Sequence, residues 1–214
     1  MSIGPRTLVI ETATAACSVA LLEEGVVLAQ THEVVGRGHA ERLVPMIGDL
    51  PGRGRAARIL VDVGPGSFTG VRVGLAAARG LAIGWGAEVF GYSSLALLAA
   101  SGFAADPTLP ALAVVLEGGH GEVFMQAFSP SPLAEDGPRR SLLPAAALDA
   151  LGARSAIGNG VRHLAALGPG HDLREVLPRA ADALLLPPAF ATLPPRPIYG
   201  RAPDAKTLAE RGLA

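Results

Sequence analysis

A glycine-rich segment at residues 64–74 separates an apolar strand pattern from a long apolar helix pattern. The strand is predicted over residues 58–63 and the helix over about residues 68–84. A loop of this kind, placed before a helix N-terminus, can hold an anion on its free backbone N–H groups. Further strands and helices alternate around this unit, and that alternation indicates an α/β lobe with a mixed sheet.

The glycine-rich segment departs from both common phosphate-binding motifs. A Walker A loop needs a Gly-Lys-Ser/Thr sequence, but the only lysine of the chain is Lys206. In the dinucleotide fingerprint the third glycine is three positions after the second, whereas Gly70 is four positions after Gly66. A tight strand-to-helix turn, capped by Ser67 or Thr69, is the alternative to an anion site. The spacing favours the turn.

Apolar patterns on both sides of this unit predict two lobes. Strands are predicted at residues 7–10 and, as an antiparallel hairpin, at 18–22 and 26–29. Around residues 101–110 the composition turns to glycine, proline and aspartate, which predicts a boundary between lobes 1–102 and 103–214. A second strand pair, at residues 111–117 and 122–127, opens the second lobe as the hairpin opens the first.

The helix predicted at residues 68–84 is apolar nearly all the way round. Arg72 and Arg79 project in nearly one direction, and small or apolar residues fill the other faces. A helix of this kind must be covered on more than one side. One cover is the sheet of the same lobe. The other is either the preceding amphipathic helix, with its stripe of Leu43, Met46 and Ile47, or a partner chain.

Few residues are candidates for catalysis or metal binding. Glu11 ends the first strand and, with Thr12, Gly66 and Ser67, could lie beside a nucleotide, although a solvated strand-end glutamate fits equally well. His39 lacks a second histidine three or four residues further on, so an interface or helix-start histidine is favoured over a metal ligand. We therefore predict no metal site and no catalytic residue.

Composition argues against a nucleic-acid-binding face and against a membrane protein. Eighteen basic and 19 acidic residues give a formal charge of −1, and only 4% of residues are aromatic, which makes a rich platform for base stacking unexpected. The apolar stretch at residues 71–92 carries Arg72, Arg79 and Glu88, which a spanning helix would not tolerate. We expect a cytoplasmic protein.

Four segments occur in a characteristic order along the chain. They are residues 10–14 (IETAT), 16–21 (ACSVAL), 39–47 (HAERLVPMI) and 64–74 (GPGSFTGVRVG). In this order they resemble the TsaB (YeaZ) family of bacterial tRNA threonylcarbamoyladenosine biosynthesis proteins, and the GPGSFTGVR block is highly specific to that family. Weaker agreement comes from residues 121–124, 158–160 and 197–206. The likeness is strong over residues 6–100 and patchy afterwards.

The resemblance implies a fold and a function. The fold is α/β, an actin/Hsp70/sugar-kinase-like (ribonuclease H-like) fold of two lobes with mixed sheets, in which the second lobe is reduced. The function is that of a non-catalytic scaffold or activator that binds the catalytic subunit TsaD. TsaD works with the ATPase TsaE to transfer a threonylcarbamoyl group to the adenosine 3′ of the anticodon, in tRNAs that read codons beginning with A.

The resemblance also implies partners and an interface. The chain is expected to contact tRNA only as part of the complex. No cofactor is expected to bind tightly to this chain, but ATP or ADP could bind at its junction with TsaD. The two helices are expected to bind TsaD or a second copy of the chain. The residues expected in this interface are His39, Leu43, Met46, Ile47, Phe68, Gly70, Val71, Arg72, Gly74, Leu75 and Arg79.

Two departures from the family bear on function. The first strand ends in Glu11 where the family usually has aspartate, and the second hairpin reads Glu117-Gly118-Gly119 where relatives typically read Asp-Ala-Arg. Both weaken any transfer of magnesium or ligand roles to these positions. The alternative function is an active nucleotide-dependent phosphotransferase of the same fold, which would use Glu11 and the loop at residues 64–70.

Overall fold

The computed structural model describes residues 6–199, which contain two β-sheets. The first sheet has the order β3-β2-β1-β4-β5. Its strands are β1 (Thr7–Glu11), β2 (Ala16–Glu23), β3 (Val26–Val34), β4 (Arg58–Asp62) and β5 (Glu88–Tyr92). β1, β2 and β3 pair antiparallel, whereas β1, β4 and β5 pair in parallel. The predicted opening hairpin is confirmed, and Gly25, with a φ of 79°, lies in its turn.

Three helices cover the two faces of the first sheet. α1 (His39–Gly48) and α2 (Phe68–Trp85) pack on one face, and α3 (Ser94–Ala105) packs on the other. The alternation of side chains along β1 produces this division, because Leu8 and Ile10 face α1 and α2 while Val9 faces α3. The helix predicted after the glycine-rich segment is therefore confirmed as α2.

The second sheet has the order β11-β10-β6-β7-β8, and β9 also pairs with β7. Its strands are β6 (Leu112–Gly119), β7 (Glu122–Ser129), β8 (Ala134–Glu135), β9 (Arg140–Leu142), β10 (Ser155–Ile157) and β11 (Leu173–Arg174). The helices of this part are α4 (Pro144–Leu151) and α5 (Arg162–Ala165). Short 3-10 turns occur at Pro51–Gly54, Asn159–Val161, Ala180–Leu185 and Pro188–Phe190.

α3 joins the two sheets into one core. It is apolar nearly all round, and its buried side chains lie in the same cluster as Val9 and Leu60 of the first sheet and Leu112 and Phe128 of the second. Its last residues extend past the predicted lobe boundary at 102/103. The division into lobes 1–102 and 103–214 stays a prediction.

After the second sheet the chain returns to the first. Residues 193–199, here called the strap, lie along β5 and α2. Leu193 exchanges two backbone hydrogen bonds with Gly91, at 2.7 and 3.0 Å, and the Ile198 N–H donates to the Val63 carbonyl at 2.7 Å. Arg79 of α2 donates to the Pro195 carbonyl at 2.7 Å. The strap is therefore bonded to β5, to the residue after β4 and to α2.

Candidate functional site

The glycines of the segment at residues 64–74 are required by close packing within the chain. A Cβ atom at Gly66 would overlap the Ala13 carbonyl, and one at Gly70 would overlap the Thr12 carbonyl. At Gly74 it would overlap the Thr12 hydroxyl. The packing of the turn that follows β1 thus explains these glycines, and a bound anion is not needed to account for them.

The predicted cap of α2 is confirmed. The Ser67 hydroxyl accepts a hydrogen bond from the Gly70 N–H at 3.1 Å, and Ser67 is the N-cap residue. The Ser67 N–H itself donates to the Ala13 carbonyl at 2.7 Å. These backbone groups are therefore satisfied within the protein, as a strand-to-helix turn requires.

Two carboxyl groups lie buried side by side behind this turn. Glu11 and Asp62 end the adjacent parallel strands β1 and β4, and both are 0% exposed. Glu11 accepts hydrogen bonds from the Ser94 hydroxyl at 2.8 Å, from the Tyr92 hydroxyl at 3.0 Å and from the Ala13 N–H at 2.9 Å. The interpretation of Glu11 as a solvated residue is wrong, because the strand and helix around it exclude water.

Asp62 is held mainly through one of its two carboxylate oxygens. Its Oδ1 atom accepts hydrogen bonds from the Thr12 N–H at 2.8 Å and the Thr12 hydroxyl at 3.0 Å. Its Oδ2 atom has no well-formed hydrogen bond among residues 6–199. Burial raises the pKa of Asp62 to about 6, although the Thr12 and Gly64 backbone groups oppose the shift. Burial, and next the charge of Asp62, raise the pKa of Glu11 well above its ordinary value.

This pair predicts a fall in stability with rising pH. Between the ordinary pKa of 3.8 and the value of about 6, folded Asp62 keeps a proton that the unfolded chain has lost. Asp62 alone should therefore lower the free energy of unfolding by about 2–3 kcal/mol as the pH rises through this interval. Asp62→Asn should remove this contribution, as measured by urea unfolding at pH 4.5 and 7.5, and keep the decrease that comes from the raised pKa of Glu11. Asp149→Asn, on the exposed surface of α4, is the matched control, and an equal slope in all three proteins would contradict the account.

A cavity of about 990 Å³ opens between the two sheets. On the side of the first sheet it is lined by Arg37, by residues 66–68 and by Val71 and Arg72, and the strap closes one end. The hairpin of β6 and β7, residues 117–122, lines the opposite side. Of the residues predicted to lie near a nucleotide, Gly66 and Ser67 line this cavity. Glu11 and Thr12 do not, because the turn after β1 covers them.

Glu117 forms a polar cluster on the second-sheet side of the cavity. It accepts hydrogen bonds from Asn159 at 3.0 Å and from the His163 ring at 2.9 Å, and it pairs with Arg162. Partial burial would raise the pKa of Glu117, but the hydrogen bonds from Arg162 and His163 hold it below the ordinary value. The sequence analysis did not predict this cluster, because its other members are 42 to 46 positions away from Glu117. The Gly-Asn-Gly sequence at residues 158–160 was its only local signal.

Most residues predicted to form the partner interface lie inside the protein. His39, Leu43, Met46 and Ile47 of α1, and Gly70, Val71, Gly74 and Leu75 of α2, are all buried. The apolar ones pack on β1, β2 and β4 in a single cluster, and the His39 ring contacts the Ala16 carbonyl at 3.1 Å. The prediction that these side chains are free for a partner is wrong, because the sheet of the same lobe covers them. Phe68, Arg72 and Arg79 remain accessible.

The opposite side of the same two helices is open. We call it the outer face and define it by Val44 of α1 and by Ala76, Gly80, Ile83 and Gly84 of α2. Val44 is 58% exposed and Ile83 is 87% exposed. A Cβ atom at Gly80 or Gly84 would meet no atom within 4 Å. Glycine inside a helix costs about 1 kcal/mol relative to alanine. No close contact within residues 6–199 requires glycine at these two positions.

Residues 26–135 match the model of the family described as "TsaD: tRNA N6-adenosine threonylcarbamoyltransferase". The matched residues are just over half of the chain. The chain belongs to this family. Among curated proteins it is similar to TsaB of Escherichia coli (strain K12), with 38% identity over 126 residues, or 56% of this chain and 53% of that protein. TsaB of Haemophilus influenzae (strain ATCC 51907 / DSM 11121 / KW20 / Rd) is 42% identical over 103 residues, or 45% of this chain and 42% of that protein.

A solved structure extends the similarity along the chain. "YeaZ from Pseudomonas aeruginosa" superposes with a TM-score of 0.77 at 28% identity, and the match covers 91% of this chain and 99% of that one. The chain is thus a TsaB (YeaZ) homologue, and both the predicted resemblance and the predicted fold class are confirmed. The chain spans only about half the length of the curated relatives it matches.

Within residues 6–199, no helix is long and apolar enough to cross a membrane. In the same part of the chain, no three or more histidine, cysteine, aspartate or glutamate side chains are grouped so that they could hold a metal ion.

Proposed function

We propose that this chain is a non-catalytic scaffold subunit of the system that makes threonylcarbamoyladenosine in tRNA, and that it acts by binding TsaD. The similarity to proteins named for that pathway supports the general role. The outer face carries the more specific part of the proposal. It combines a highly exposed isoleucine with two helix glycines that no close contact within residues 6–199 requires.

Close helix packing would explain the composition of the outer face. Glycine and alanine let the backbone of another helix approach closely, and Ile83 and Val44 supply apolar area for such a contact. Gly70 and Gly74 are the two glycines among the interface residues predicted from the sequence. Because these two lie against the turn after β1, we assign the close helix contact to Gly80 and Gly84 instead.

The buried carboxyl groups support a non-catalytic role. A phosphotransferase of this fold would use Glu11 and the loop at residues 64–70, but Glu11 is fully buried and bonded to three protein donors. The backbone groups of Ser67 and Gly70 are also engaged within the chain. These contacts favour the scaffold over the phosphotransferase.

The remaining partners are part of the same proposal. TsaE would join through the complex with TsaD, and ATP or ADP would bind at the junction rather than tightly to this chain alone. A second copy of the chain could occupy the outer face when TsaD is absent.

Depletion of the protein in its own cells tests the proposed function. We expect the threonylcarbamoyladenosine content of hydrolysed tRNA, measured by mass spectrometry of nucleosides, to fall severalfold. Re-expression of the wild-type chain should restore it, and so should Glu11→Gln, since no catalytic carboxylate is required. An unchanged nucleoside content after depletion would refute the scaffold role, and loss of rescue by a folded Glu11→Gln protein would favour the phosphotransferase.

A further inference from the structure

The mouth of the cavity carries two exposed aromatic side chains. The chain has six phenylalanines, two tyrosines and one tryptophan. Phe68 is 69% exposed and Tyr199 is 61% exposed, whereas the other aromatic residues at positions 6–199 are buried or partly buried. Both exposed rings line the cavity, although they are 131 positions apart in sequence. Large apolar side chains brought together at the surface commonly mark a binding site.

Arg72 contacts both rings. Its guanidinium carbon is 3.2 Å from the centre of the Phe68 ring and 5.3 Å from the centre of the Tyr199 ring. It also donates hydrogen bonds to the Phe68 carbonyl at 2.8 Å and to the Tyr199 hydroxyl at 3.0 Å. None of these described partners is a carboxylate, so the positive charge of Arg72 is not neutralised by them.

The charges around the mouth favour an anionic ligand. Arg37 lines the same side of the cavity as Arg72 and is exposed. On the opposite side, the charge of Glu117 is engaged by Arg162 and His163, and Glu122 accepts a hydrogen bond from Ser141 at 2.6 Å. His120, with a positive φ of 54° between two glycines, projects from the tip of that hairpin. Arg37 and Arg72 therefore place two positive charges on one side of the mouth, while the charge of Glu117 on the other side is paired with Arg162 and His163.

We propose that the mouth of this cavity binds an unpaired nucleotide of an RNA strand. The base would stack on the free face of Phe68 or Tyr199, and the adjoining phosphate would face Arg37 and Arg72. Aromatic rings next to basic side chains are the usual means of binding single-stranded nucleic acid, because every base offers a flat face. A base in a duplex has no free face to offer. The inference rests on the proposed function for the choice of RNA as the ligand.

Binding of a labelled single-stranded RNA, about 12 nucleotides long, to the full-length chain tests this site by fluorescence anisotropy at about 50 mM salt. We expect measurable binding that Phe68→Ala and Tyr199→Ala each weaken by roughly 5- to 150-fold. Tyr199→Phe keeps the ring and should bind nearly as the wild type does. Arg37→Gln should weaken binding and reduce the slope of log affinity against log salt by about 0.7.

Ile83→Ala is the matched control, because Ile83 is exposed on the same helix but does not line the cavity. It should leave RNA binding unchanged. Absence of binding, equal binding of the annealed duplex, or equal affinity for free AMP would each overturn the proposal. The proposal would also be overturned if the Phe68→Ala and Tyr199→Ala proteins no longer bound TsaD but still bound RNA, since the two rings would then contact a protein partner. TsaD binding and tRNA modification in cells are measured separately. A negative result in the RNA-binding experiment would therefore not contradict the proposed function.

Discussion

Leu43→Glu is expected to leave the protein unfolded at 25 °C, whereas Val44→Glu at the next position should leave it folded. Leu43 is 0% exposed and lies in the cluster between α1, α2 and the first sheet. Truncation of a buried leucine to alanine alone costs about 2–5 kcal/mol. Glutamate would add a carboxylate without a partner in the core. Since a whole domain is stable by only about 5–15 kcal/mol, the combined cost should exceed what the protein can lose.

The pair of variants separates the two sides of α1. Val44 is 58% exposed on the outer face, and an exposed substitution usually changes stability by less than about 0.5 kcal/mol. Circular dichroism and urea unfolding of both proteins measure the difference directly. If Leu43→Glu instead unfolded at the same urea concentration as the wild type, α1 would not pack on the sheet as described, and the original prediction of a free Leu43 would regain its basis.

Much of the fold could be predicted from local patterns. The apolar runs before and after residues 64–74 specify β4 and α2, and the Ser67 cap follows from its position before the helix. Glycine next to Glu24 specifies the turn of the first hairpin. Each of these features depends on residues that are close in sequence, where propensity and periodicity act directly.

The orientation of α2 could not be predicted in the same way. α2 is apolar nearly all round, so its periodicity does not distinguish the face against the sheet from the face toward solvent. Large side chains such as Leu75 fill the space against β4, while the small residues Ala76 and Gly80 remain outside. The interface predicted from the sequence contains the larger side chains of α2, but these are the side chains that pack against the sheet.

Local patterns also could not predict which polar and aromatic side chains come together in the fold. Glu11 and Asp62 are 51 positions apart and meet only because Ile10 pairs with Val61 in the parallel register of β1 and β4. Phe68 and Tyr199 meet because the strap returns to α2 after the second sheet. The low aromatic content argued against an extended stacking surface, but composition carries no information about where the few aromatic residues gather.

Ile83→Glu is expected to abolish stable association with TsaD without unfolding the chain. Ile83 is 87% exposed, so the substitution should change the free energy of unfolding by less than about 0.5 kcal/mol. In a closely packed helix contact it would bury an unpaired charge, and loss of a central contact residue commonly costs at least about 2 kcal/mol, or roughly 30-fold in affinity. Gly84→Leu should act in the same direction, because its side chain would hold the partner helix away.

Leu143→Glu is the matched control, because Leu143 is 61% exposed but precedes α4, on the second sheet. The most direct measurement is co-purification of tagged TsaD from the same cells with wild-type, Ile83→Glu and Leu143→Glu chains, each confirmed as folded by thermal unfolding. A TsaD-binding outer face predicts that the wild type and Leu143→Glu are retained and that Ile83→Glu is lost. Retention of all three in equal amounts would contradict it.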